Sequence, residues 1–513
     1  MPHKKQHAVL VRVGEVLKDG EDARLRQLGI KRELRKEFTN FSSLSFAIGI
    51  MGVAATIAST INTPILLGGR AVAIWAWFLG SFGCIAIAVS VAELVSAYPT
   101  SGGLYTSTAF VVSPRYRASV SFVNAWMTLI GQLACGSSVI FALSQMIFAA
   151  ATIGTHGEFV ATTGQTLGLY ITLVILLGVF NSLPSKVLHK ITRIYVYSNL
   201  LTTLAIMIAV PVMGRNRLAP SKVVWTGIED GSGWGNNGFV LLLGLLCVQW
   251  VMTDYDAVAH ISEEVKNAAV AAPMAIVIGV TFTAVLGFFL TISLCYGISD
   301  LGTLPGPTGL VFAQILWENL GRDGALVLWN ALPDRKLFSK VWSKTQTPVL
   351  AVVLTVIISA LLGLLSLASL IAINAVFSVT AVALDISYII PIIAKVCTSL
   401  QGGSSATFTP GPFYTGKWSI FINAYAIAWT CLETGVLIMP QVTPVTAATM
   451  NYAAPIIVTV CGLSWIWYKL YWHHFYLGPG AQDDIPCESS PTESSYTGTG
   501  KQIFLDEEKT NVV

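Results

Sequence analysis

Charge is what this chain has least of. Asp, Glu, Lys and Arg make up 11% of its 513 residues, against 54% hydrophobic residues, where a water-soluble globule carries about 25% charged residues. Together with a mean hydropathy of +0.67, that shortage excludes a soluble domain and points to a chain that crosses a bilayer many times. The cysteines are also few and scattered: Cys84, Cys135, Cys247, Cys295, Cys397, Cys431, Cys461 and Cys487 form no CxxC pair and no His/Cys cluster of metal spacing. A disulfide scaffold and a structural metal site are excluded on that ground, and no cofactor is expected. Seven of the eight read as packing residues and Cys487 as a tail thiol. No nucleophile elbow, metal motif or phosphate loop is present, so an enzyme is a poor reading. The net charge of +3 is small, and no nucleic-acid partner is expected. Residues 1–40 lack the apolar core of a cleavable signal, so the first span is expected to direct insertion.

What is there is a series of apolar runs, at about 41–65, 71–91, 118–151, 167–183, 194–213, 274–298, 349–369, 371–396, 420–439 and 453–471. Lys4, Lys5, Lys18, Lys31, Arg32, Arg35 and Lys36 precede the first, placing the N-terminus in the cytoplasm. Arg115 and Arg117, and later Lys186, His189, Lys190 and Arg193, mark the same side. The polar loop 214–237, with Trp225 and Trp234, then lies outside. The tail after His474 is rich in Ser, Thr, Asp and Glu and is expected to be disordered and cytoplasmic.

The most informative stretch is Gln249 to Glu264. The apolar run before it, Gly238 to Val248, is too short to cross alone, since a spanning helix needs about 20 residues. The sixth span must therefore include a polar patch that carries Asp254 and Asp256. An ionised group at membrane depth costs at least about 3 kcal/mol, and irregular backbone is tolerated there only inside protein or beside a watery cavity. A broken helix next to a solute path satisfies both conditions. The first span has Gly49-Ile50-Met51-Gly52, which suits either close packing or a second unwound hinge.

One crossing is missing. The loop after span seven is poor in Lys and Arg and belongs outside, while Arg335, Lys336, Lys340 and Lys344 belong inside. The only candidate between them, Pro307 to Leu332, contains Glu318, Arg322 and Asp323, and its apolar part, Gly324 to Leu332, is about half of what a helical crossing needs. Eleven spans are clear, twelve are expected, and span eight reads as truncated.

These residues resemble the amino acid–polyamine–organocation superfamily, and within it the fungal amino acid/choline transporter group, nearest its GABA permeases. The resemblance covers about residues 40–475 and rests on Gln249 to Glu264, on Tyr98-Pro99-Thr100-Ser101-Gly102-Gly103-Leu104-Tyr105, and on Asn330-Ala331-Leu332-Pro333-Asp334-Arg335. It implies an all-α polytopic membrane protein with an inverted, LeuT-like five-plus-five helix repeat (41–213 and 236–397) and two extra helices (418–471). The flanks are a cytoplasmic tail, 1–40, and a second tail, 475–513. It implies substrate held where helices one and six unwind, at Gly49, Ile50, Met51 and Gly52 and at Thr253, Asp254, Tyr255 and Asp256.

The expected activity is secondary active transport of GABA or a related amino acid with protons, in the plasma membrane or, alternatively, the vacuolar membrane. Choline or polyamine transport is the alternative cargo. A nontransporting sensor, or an inactive variant lacking helix eight, is the alternative class. Half-helix N-termini suit a carboxylate and aromatic faces suit an ammonium, so Gly49 to Gly52 is assigned the carboxylate end and Tyr255 with Trp250 the amine end. Asp256 is the candidate proton-coupling group and His260, four residues on, a candidate relay. Asp254 is either an amine partner or a structural hydrogen bonder. Asp385 is a candidate for a gate or pairing role, Glu433 reads as structural, and Gln132 and Asn374 as interhelical hydrogen bonders. Glu93 is expected to pair with Arg115 and Arg117 as a gate or to be solvated.

Overall fold

The structure, a computed structural model, describes residues 40–180, 185–330, 349–401 apart from 369, and 408–479 apart from 448, 475 and 477. The first tail, most of the second, Cys487 and the Arg335 to Lys344 segment lie outside the described residues, as do the side chains of Lys186, His189, Lys190, Arg193 and Asn374.

Among the described residues every regular element is a helix. In order they are α1 (Asn40–Met51), α2 (Val53–Thr60), α3 (Asn62–Ala97), α4 (Gly103–Val111), α5 (Arg117–Gly154), α6 (Thr163–Phe180), α7 (Ser185–Met213), α8 (Ser221–Thr226), α9 (Asn237–Leu243), α10 (Leu245–Val251), α11 (Ala257–His260), α12 (Ala268–Gly297), α13 (Val311–Asn330), α14 (Val349–Gly363), α15 (Leu365–Ala368), α16 (Leu370–Gln401), α17 (Ser419–Leu437) and α18 (Ala453–Leu470). Nine helices among the described residues are long and apolar enough to cross a membrane, and two shorter apolar ones, Asn237–Val251 and Val353–Gly363, bring the set to eleven. The protein is an integral, multi-pass membrane protein.

Where helices meet, glycine lets them approach. Gly287 of α12 faces Trp77 of α3 so closely that a Cβ there would sit 2.0 Å from the indole, and the same indole N–H donates to Ala284 O at 3.0 Å. Gly131 of α5 receives Leu384 of α16 in the same way. Outward, Trp75, Phe78, Leu79 and Phe82 of α3 are exposed. Their spacing puts them on one helix face, and that apolar stripe is where lipid belongs.

Three glycines interrupt helices because each takes a positive φ that other residues adopt only at a cost. Gly52 (φ 43) divides the first span into α1 and α2. Gly69 (φ 81) kinks α3 just before Arg70, whose guanidinium donates to the carbonyls of Ile298 and Ser299. Gly321 (φ 68) breaks α13. Residues 311–320 pack Val311, Phe312, Ile315 and Leu316 into the core. Residues 322–330 run back along α5 until Trp329 donates its indole N–H to Met146 O at 2.8 Å. No helix among the described residues between Gly297 and Val349 qualifies as a span.

Candidate functional site

The two broken helices lie side by side with their breaks at one depth. α10, the first half of the sixth span, packs on α2, the second half of the first, and α11 packs on α1; the Thr60 hydroxyl and the Cys247 thiol meet at 3.3 Å across the former contact. The breaks differ in extent. In the first span only Gly52 leaves the helix, and Gly49, Ile50 and Met51 are helical, which narrows the expected four-residue unwinding to one position. The reason is that Gly52 N–H still reaches Ile48 O at 3.1 Å and Thr56 N–H reaches Gly52 O at 3.0 Å, so one left-handed residue suffices for the turn.

In the sixth span the last helical bond is Met252 N–H to Val248 O at 2.9 Å. Thr253 and Asp254 then leave the helix, and winding resumes at Ala257. Asp254 takes φ 67, a conformation that costs a non-glycine residue about 1–2 kcal/mol. Its hydrogen bonds hold it there: Gln132 Nε2 donates to Asp254 Oδ1 at 2.7 Å, and Asp254 N–H donates to Tyr388 Oη at 3.2 Å. The Tyr388 hydroxyl donates in turn to Asp256 Oδ1 at 2.6 Å, and its ring lies 5.2 Å from that of Tyr255. Gln132, expected only to join helices, is thus a support of the bend.

The other oxygen of Asp256 faces His260 Nε2 at 3.5 Å, and His260 Nδ1 lies 2.9 Å from Ser101 O. A ring that donates from Nδ1 needs a second proton to donate from Nε2 as well, so this pair is ionic only when His260 is protonated. Asp256 is buried while the His260 side chain is 37% exposed, so the two form a path from the bend toward the surface. Ser101 also binds Glu263 Oε1 through its N–H at 3.0 Å and its hydroxyl at 2.5 Å. The Pro-Thr-Ser-Gly-Gly turn therefore clamps the far half of the sixth span.

At the first break a Cβ on Gly52 would meet Tyr195 Oη at 2.9 Å and Asn199 Nδ2 at 3.2 Å. Asn199 is buried and its Nδ2 meets no acceptor among the described residues; no side chain caps α2 either. Uncapped helix N–H groups and an unused amide donor converge there. Nothing in the first-span motif pointed to span five as a contributor. Trp250 is buried on α10, ring to ring with Phe377 at 5.4 Å.

Glu93 is neither solvated nor paired with Arg115 and Arg117. It is buried and bonded to Lys395 of α16, and it also accepts from Thr415 N–H at 2.9 Å, Thr415 Oγ1 at 2.5 Å and Ser419 Oγ at 2.7 Å. The expectation failed because α3 continues past Glu93 to Ala97, which keeps the carboxylate inside. Lys395 lies one residue from the expected end of span ten and is not among the expected site residues.

Asp385 accepts from Gln249 Nε2 at 2.8 Å, and Gln249 Oε1 accepts from the Cys84 thiol at 3.0 Å. Cys84 and Cys247 thus take polar partners, and Cys397 and Cys431 are exposed, so the cysteines are not all packing residues. Glu433 neighbours Asp385 where α16 and α17 pack together.

The sequence pattern of the amino acid permease family matches residues 38–331 and 325–461, two pieces that meet where α13 ends. The chain is 37% identical to an uncharacterized amino-acid permease of Schizosaccharomyces pombe, over 91% of each chain. It is 32% identical to amino-acid permease 2 of Neurospora crassa, over 89% of each. It is 27% identical to the GABA-specific permease of Saccharomyces cerevisiae, over 93% of this chain and 91% of that one. Among solved structures, the manganese transporter of Eremococcus coleocola superposes with a TM-score of 0.52 at 14% identity, covering 84% of this chain and 94% of that one; at that identity the likeness is one of fold. With level breaks in two adjacent helices and these relatives along nearly its whole length, the chain belongs to the amino acid permease family.

Proposed function

We propose that the chain is a secondary active transporter of GABA or a closely related amino acid, driven by proton symport. The observation that carries this reading is the pair of breaks at one depth, which opposes a helix N-terminus to a polar bend. The substrate carboxylate is taken by the N–H groups opening α2 at Gly52 with the Asn199 amide. The ammonium is taken by the carbonyl end of α10, around Met252 and Thr253, beside the Tyr255 ring. Thr253 Oγ1 and Tyr255 Oη are buried without partners among the described residues, which leaves both able to bond a substrate. Asp256 is the coupling carboxylate: its proton comes and goes through His260 as the two halves of an inverted repeat rock about the bend. Asp254, whose carboxylate accepts from the Gln132 amide and faces the Cys135 thiol, is structural in this scheme. The membrane is the plasma membrane, with the Ser101 turn and both termini on the cytoplasmic side.

Radiolabelled GABA and choline uptake by the purified chain in proteoliposomes tests this, with an imposed pH gradient. GABA accumulation that follows the gradient supports it, and choline accumulation alone overturns the choice of substrate. The few apolar residues between Gly324 and Leu332 and the division of the family match beside them favour a second reading, a chain that binds but does not transport. Uptake only after a full eighth span is restored would decide for that reading.

A further inference from the structure

Two carboxylic acids in the middle of the bundle have no cation. Asp385 on α16 and Glu433 on α17 are 2% and 1% exposed, and among the described residues no Lys, Arg or His makes an ion pair with either. Asp385 Oδ2 is occupied by Gln249, whereas Asp385 Oδ1 and both oxygens of Glu433 make no hydrogen bond of ordinary geometry among the described residues, with the Trp429 indole N–H, itself unpartnered, beside Glu433. Two ionised carboxylates so placed would face each other at membrane depth with neutral donors and, among the described residues, no cation to offset burial and repulsion. A hydrogen bond between two carboxyls requires a proton on one of them.

We propose that Asp385 and Glu433 hold one proton between them, a second protonation site, separate from Asp256, that is joined through Gln249 to the bend of the sixth span. The bonding assigns the positions. The Cys84 thiol donates to Gln249 Oε1, which turns the amide N–H toward Asp385 Oδ2. Asp385 is therefore the ionised member, and the Glu433 O–H donates to Asp385 Oδ1. The other titratable groups facing the pair are Cys84 and Tyr255, with Asp256 beyond them. The Tyr255 hydroxyl, buried and unpartnered among the described residues, is a further donor held in reserve at the bend. When α10 shifts, Gln249 withdraws its N–H from Asp385, and the proton passes from Glu433 to Asp385 or a second proton enters. The site itself stands on geometry; its part in coupling rests on the transport reading above.

Infrared spectroscopy of the purified full chain in lipid nanodiscs reads the proton directly. At neutral pH the wild type should show an un-ionised carboxyl band that is absent from Asp385→Asn/Glu433→Gln, with Glu433→Gln alone serving if the double variant fails to fold. Identical spectra for wild type and variant would overturn the site, as would a band that appears only when sodium is removed, which would make the pair a cation site. In proteoliposomes the double variant should keep GABA counterflow and lose at least about 5-fold in pH-driven accumulation, the lower end of ordinary site-to-site coupling; unchanged accumulation would overturn the coupling role. A wild type that does not transport fails the transport reading and leaves the infrared result to decide the site.

Discussion

Glu93 and Asp256 are both carboxylates buried in the bundle, and their surroundings are opposite. Glu93 has a lysine and three neutral donor groups from Thr415 and Ser419 around it. Asp256 has one phenol and a half-exposed imidazole whose charge comes and goes with pH. A carboxylate surrounded by fixed partners is held in one state and serves as a fastener between α3, α16 and the segment leading into α17. The difference sets a carboxylate held by fixed partners apart from Asp256, the group proposed above for coupling.

The sharpest way to break that contrast is Lys395→Met, which strands Glu93 as an uncompensated charge. Loss of one partner of a buried pair costs about 3–5 kcal/mol, so the melting temperature in detergent should fall steeply, and Glu93→Gln/Lys395→Met should regain most of it. A Lys395→Met protein as stable as the wild type would show that Glu93 is not a fastener. Asp256→Asn should do the reverse, leaving thermal stability near wild type while lowering pH-driven accumulation about 5- to 150-fold, the usual range of coupling between sites. Tyr388→Phe removes the hydroxyl that joins Asp254 N–H to Asp256 Oδ1, about 0.5–1.5 kcal/mol for each hydrogen bond; the melting temperature should fall by less than in Lys395→Met, and an unchanged melting temperature would show that the bend does not need it. Gly52→Ala places a side chain in left-handed backbone at about 1–2 kcal/mol and against Tyr195 Oη at 2.9 Å; it should raise the uptake KM with little change in expression. Arg115→Ala should stay within about 0.5 kcal/mol in melting, because Arg115 is exposed and Glu93 does not use it.

Much of this contrast was not written along the chain. The irregular stretch at Thr253 to Asp256 was legible, because too few apolar residues preceded two acids for any unbroken helix to span. The reading of a shortened span eight came from the mismatch between charge sidedness and apolar length, and residues 331–348, into which that segment leads, lie outside the described residues. The first break was placed in the right tetrapeptide but made too wide, since composition locates a weak point and only the hydrogen-bond ladder says how many residues leave it. Tyr388, Asn199 and Lys395 were passed over because each looks ordinary on its own helix. Their partners lie 132, 147 and 302 positions away, as for Tyr388 and Asp256 (388 − 256), Asn199 and Gly52 (199 − 52), and Lys395 and Glu93.

The sequence by itself determined that this is a many-spanning helical membrane protein with a polar bend in its sixth crossing, because hydropathy and length are local sums that no fold can change. Which acid meets a lysine, which meets another acid, and which meets a titratable ring was decided only when α3, α16 and α17 packed against the bend, because charge pairing inside a bilayer depends on distances between helices that are set by glycine contacts far apart in the chain.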